Sequence, residues 1–137
     1  MNWRLFFAVL YIVIDLVYVS FSKGVYDAAV KNIQGSPMPT GTTRIIAAVG
    51  AWTCMAVGWY FLTTTLVAKW IAAGMSAATA GALAGFINGI VVIGTFNLTL
   101  HAMFVNYGAK IMSRDMLWGI GWVTVLTTIY SVVNYKK

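Results

Sequence analysis

Four apolar stretches, each close to the roughly 20 residues that a helix needs to cross the hydrocarbon core of a bilayer, constrain this chain more than any other feature. They cover about Trp3–Phe21, Ile45–Leu66, Ala82–Phe104 and Met116–Val133. None has the strictly alternating, turn-rich pattern of barrel strands, so helices are the way for them to satisfy their backbone in lipid. Composition agrees. Of 137 residues, 61% are hydrophobic and 9% charged, where a water-soluble domain carries about a quarter charged residues. The mean hydropathy is +0.83. The expected fold is all-α: an integral membrane four-helix bundle forming one multi-pass transmembrane domain over residues 1–137, with the lipid bilayer as its surroundings.

Charge supports that reading. The net charge is +6, but the basic residues stand singly at the edges of apolar segments, with no stripe of basic and aromatic residues for nucleic acid. No nucleic-acid partner is expected. Arg4 before Leu5–Ile14 resembles a secretory signal, yet Asp15 interrupts the apolar run, so the segment reads as a retained first span. Beyond it, Val25, Tyr26, Ala29, Val30 and Ile33 share one helical face, while Lys23, Asp27, Lys31, Asn32 and Gln34 share the other. This pattern predicts a short interfacial helix between the first two spans. A loop at Gly35, Ser36, Pro37, Met38, Pro39, Thr40 and Gly41 follows it.

Small residues predict where helices approach. Ala73, Ala77, Gly81, Gly85 and Gly89 recur every four residues, and Gly50, Cys54 and Gly58 repeat the spacing on the second span. Such rows let backbones meet directly. The two rows fit each other within one chain, or serve a homo-oligomer or larger membrane complex.

Asp15 is the residue that lipid would not ask for, since an aspartate near mid-span costs about 2.5–3.5 kcal/mol on insertion scales. Counting depth from the span centres brings Asn97 of the third span and Trp122 of the fourth level with it. Tyr18, His101, Trp118 and Asp115 lie further toward the same surface. The expected site is a polar and aromatic vestibule lined by Asp15, Tyr18, Asn97, His101, Asp115, Trp118 and Trp122. Each has a plainer reading: Asp15 as a lock on helix register, His101 as a hydrogen-bonding residue, Asp115 as a helix N-cap. Tyr18, Trp118 and Trp122 could equally be interface anchors.

Several chemistries find no footing. One histidine, one cysteine and no glutamate give no His/Cys metal site. No phosphate-cradling loop or nucleophile elbow occurs, so neither a cofactor, a catalytic residue nor an enzymatic activity is expected.

Three ordered stretches carry a family resemblance: Asp15-Leu16-Val17-Tyr18, Gly94-Thr95-Phe96-Asn97-Leu98-Thr99-Leu100, and Asp115-Met116-Leu117-Trp118-Gly119. In their order and spacing, over nearly the whole chain, they resemble the four-helix membrane proteins grouped as domain of unknown function 2177. That family typically has Asp where Asn97 stands, Asn where Leu100 stands and Trp where Tyr18 stands. The resemblance implies the four-helix fold and the polar cluster, and no assigned activity. The expected function is a small transporter or permeation protein whose intramembrane pocket takes protons, cations or a small polar solute. A structural or accessory subunit of a larger complex is the first alternative, and an intramembrane lipid-acting enzyme the second.

Overall fold

The computed structural model describes residues 2–36 and 41–135. Residues 37–40 of the expected loop, and Lys136 and Lys137, lie outside them. The described residues form four long helices: α1 (Trp3–Gln34), α2 (Thr42–Ala72), α3 (Ala77–Met103) and α4 (Ala109–Asn134). All four are long and apolar enough to cross a membrane.

Local chemistry sets their ends. The Asn2 side chain accepts from the Leu5 amide at 3.2 Å and caps α1. The helix closes on Gly35, which takes the left-handed φ of 75° that glycine adopts without a Cβ clash and donates its amide to the Lys31 carbonyl. The hairpin between α2 and α3 turns on Gly74, with φ 94°, and Ser76 caps α3 by accepting from the Thr79 amide at 3.1 Å.

Two sequence expectations are corrected. The amphipathic segment after Phe21 is not a separate interfacial helix but the continuous end of α1. Gly24 is the one glycine between Phe21 and Gln34, and one glycine does not break a helix. At 32 residues and about 1.5 Å per residue, α1 is about 48 Å long against about 30 Å of hydrocarbon, so its polar last turns reach the headgroup layer. Asp115 is no N-cap, because α4 begins at Ala109 and holds Asp115 in its interior.

The bundle differs from a soluble one in its outer face, which is apolar like much of its interior. On α1, Phe7, Ala8, Tyr11, Ser22 and Ala29 are buried, and Asp15, Tyr18 and Tyr26 continue the same three-and-four spacing. Leu5, Val9, Val13, Val17 and Phe21 face outward, where lipid covers them. On α4, Asp115, Gly119, Trp122, Leu126 and Tyr130 make the matching inner stripe.

The closest approach is between α3 and α4. A methyl group at Gly81 would stand 2.7 Å from the Ser131 Cβ, at Gly85 2.7 Å from the Thr124 Cα, and at Gly89 2.7 Å from the Ile120 Cα. Gly119 answers from α4, where a methyl would meet Ile93 at 2.5 Å. The second row does not join them: a methyl at Gly50 or Gly58 has nothing within 4 Å, and Cys54 is exposed. The two small-residue rows therefore do not meet within the chain.

Both middle helices contain a π-helical turn, at Trp59–Thr63 in α2 and Ile90–Gly94 in α3. Side chains one turn on serve the carbonyls there. Thr64 donates to the Tyr60 carbonyl, Thr65 to that of Phe61 at 2.5 Å, and the Asn97 amide to that of Ile93 at 3.1 Å.

At the end holding the α1 N-terminus, the interior is filled by rings. Tyr11 packs edge-on against Trp122 with centroids 4.5 Å apart, Trp59 against Tyr130 at 5.2 Å, and Phe7 against Tyr130 at 5.7 Å. Tyr11, Trp59 and Tyr130 are each 0% exposed. The Trp59 indole N–H donates to Thr127 Oγ1 at 2.9 Å, fixing α2 to α4.

Candidate functional site

Beyond that aromatic layer the helices enclose a cavity of about 680 Å³. Its polar groups are few and come from all four helices and the loop before α4, while Val30, Met55, Val92, Phe96 and Leu100 are among its apolar walls.

Asp15 sits toward the closed end, one helical turn from Tyr11. Its Oδ2 accepts the indole N–H of Trp52 at 2.7 Å, so an intramembrane carboxyl is matched by a donor from α2. Asp15 is half-buried and lines the cavity wall.

Nearer the open end, Asp115 gathers α1. Its Oδ1 accepts the hydroxyls of Tyr18 and Tyr26, both at 2.8 Å. These phenols are two turns apart on one face of α1, the spacing that lets a single oxygen hold both. Around them, the Tyr18 ring stacks on Trp118 at 4.6 Å and 11°. The Arg114 guanidinium lies 5.6 Å from the Tyr18 ring centre and donates to Ser22 Oγ at 2.8 Å. Asn106 extends the clamp by donating to the Asn32 carbonyl at 2.8 Å.

Asn97 is buried on α3, and its Oδ1 accepts the hydroxyl of Tyr107 at 2.6 Å. Burial first, then the charge of Asp115, pushes the Tyr107 phenol up to about 12. The phenol therefore keeps its proton, and the bond to Asn97, across the neutral range.

Five of the expected vestibule residues line this cavity: Asp15, Tyr18, Asn97, Asp115 and Trp118. Two do not. His101 is exposed at the end of α3, where Nδ1–H meets the Tyr107 carbonyl at 2.7 Å and ties down the loop before α4. Trp122 is buried in the aromatic layer and borders a separate groove between α1 and α4, lined by Phe6, Leu10, Leu117 and Val125 and by no ionisable residue. Four contributors with a hydrogen-bonding or charged side-chain group were not anticipated: Lys23, Tyr26, Trp52 and Tyr107. Depth is the sequence signal for Trp52: the antiparallel second span passes the level of Asp15 about three residues before its own centre, at this residue.

The model of a family described as predicted membrane protein (DUF2177) matches residues 3–135, nearly the whole chain. The chain belongs to the DUF2177 family. Among curated proteins and among solved structures no match to this DUF2177 member is found. The stretches that carried the resemblance are distributed over the cavity: Asp15 and Tyr18 from α1, Phe96, Asn97 and Leu100 from α3, and Asp115, Trp118 and Gly119 from α4. At the three positions where the resemblance leads one to expect a different residue, Tyr18 donates to Asp115, Asn97 accepts from Tyr107, and Leu100 is apolar wall.

Proposed function

We propose that this DUF2177 protein is a small transporter that takes a small cation into its cavity, with Asp15 as the charge-bearing group. One observation carries the reading: a carboxyl stands in the wall of a largely apolar cavity of about 680 Å³, within the range that holds a small organic molecule. Asp115 adds negative charge at the open end, and Tyr18, Trp52 and Trp118 present aromatic rings that favour cations over anions. The role assigned is binding and passage, with no covalent step.

The test compares wild type with Asp15→Asn. In nanodiscs, tetraphenylphosphonium is expected to bind the wild type and to lose at least tenfold in affinity in the variant, about 1.4 kcal/mol or more. Proton and monovalent-cation flux in liposomes should fall with it. Equal affinity and equal flux in the two proteins would refute the assignment.

A second reading rests on the outward row of α2. A methyl added at Gly50 or Gly58 would meet nothing within 4 Å and Cys54 is exposed, a surface suited to close packing with another membrane helix. An oligomer built on it would become monomeric in the double variant Gly50→Leu/Gly58→Leu, as read by light scattering in detergent. A wild type that is already monomeric removes this reading.

A further inference from the structure

We infer that the cavity is entered sideways from the bilayer, through a slot between α2 and α3, and that its occupant is therefore a membrane-partitioned organic cation. This inference rests on the cation-binding reading and names the solute class and its route.

The slot follows from how α2 is packed. Next to the hairpin, α2 residues 59–72 pack against Ala77–Gly89 of α3, while the first half of α2, Thr42–Gly58, packs on α1. Held together at the hairpin and drawn apart beyond it, the two helices leave a gap along the cavity. Its edges are Ala48 and Ala51 of α2 and Phe96 of α3, which all line the cavity and are also exposed, Phe96 by 62%. Residues that are at once wall and surface border an opening. The opening is at hydrocarbon depth: Ala51 lies nine residues inside α2 and Phe96 seven residues before the end of α3, about 10–14 Å from the helix ends at 1.5 Å per residue.

The chemistry of the edges selects what passes. Methyl groups and a phenyl ring offer a strongly hydrated ion nothing in exchange for its water, whereas a cation whose charge is shielded by apolar groups already resides in the membrane. Inside, Asp15, beside Trp52 at 2.7 Å, supplies the opposite charge. Lys23, exposed and lining the cavity about two turns beyond Asp15 on α1, places a positive charge at the alternative, aqueous mouth and disfavours cation entry there.

The experiment follows the association rate of tetraphenylphosphonium with the protein in nanodiscs, read as quenching of tryptophan fluorescence, for wild type, Ala51→Phe and Lys23→Phe. Both substituted positions are exposed, and unchanged melting curves verify that each variant folds. A bilayer route predicts association at least tenfold slower in Ala51→Phe and no slower than wild type in Lys23→Phe, which removes a repelling charge. Slowing by Lys23→Phe with Ala51→Phe unaffected overturns the lateral route and leaves the cation-binding reading standing. Absence of any binding to wild type overturns that reading itself.

Discussion

Gly85→Leu is expected to leave no folded protein to purify. The position faces α4 so closely that one added methyl would lie 2.7 Å from the Thr124 Cα and 2.8 Å from the Val123 carbonyl oxygen. Both obstacles are backbone, so no rotamer change clears them, and the two helices have to part along the whole row that Gly81 and Gly89 continue. Overpacking of a core side chain costs about 1–3 kcal/mol, and displacing a backbone against a backbone belongs at the top of that range or beyond. The loss also removes the dispersion contacts on which helix association in lipid depends, since burial from water contributes little there. The readout is the monodisperse fraction on size exclusion and the melting curve in mild detergent. Gly50→Leu is the control: with nothing within 4 Å, it should leave the single chain's melting unchanged. A Gly85→Leu protein that melts like wild type would refute the described α3–α4 contact.

Asp115→Ala is expected to destabilise by roughly 3 kcal/mol, because it removes one acceptor that serves two donors. Tyr18 and Tyr26, both half-buried, give their hydroxyls to Asp115 Oδ1, and a donor left without a partner costs about 1–3 kcal/mol when buried and toward the low end of that range here. The damage should be local as well as global. The polar end of α1 is fastened to α4 by this oxygen, by Arg114 on Ser22 and by Asn106 on the Asn32 carbonyl, so hydrogen exchange should rise over residues 22–34 first. Asp115→Asn retains an acceptor oxygen and should fall between wild type and alanine. Equal exchange over residues 22–34 in wild type and Asp115→Ala would show that the clamp does not hold this end.

Much of this arrangement could be read from the chain because lipid enforces simple rules. Apolar length gave the four crossings, and the cost of an aspartate in hydrocarbon marked Asp15 before any partner was known. What was not legible depended on which helices touch. The four-residue row through Gly81, Gly85 and Gly89 declares that some backbone comes close, but the partner proved to be α4 rather than the similar row at Gly50 and Gly58. Tyr26 was hidden by the expectation of a separate interfacial helix. Once α1 is continuous, Tyr18, Ser22 and Tyr26 fall at successive four-residue steps and their joint approach to α4 follows. The π-helical turns at Trp59–Thr63 and Ile90–Gly94 had no sequence signal, since their residues are ordinary helix and lipid-facing types. His101 was drawn toward the site by depth alone, and depth does not say which way a residue at a helix end turns.

The ring-filled floor beneath Asp15 limits how fast anything could cross. A static pore conducts because its path is open from end to end, whereas here Tyr11, Trp59 and Tyr130 are wholly shielded and Trp59 is bonded to Thr127 at 2.9 Å. Under the transporter proposal, each passage through this chain's own interior has to break that bond and displace interlocked aromatics, and helix rearrangements of that kind run on microseconds to milliseconds. Turnover under that proposal would therefore lie between about a thousand and a million events per second, the range set by those times, and saturation with solute would be its kinetic signature.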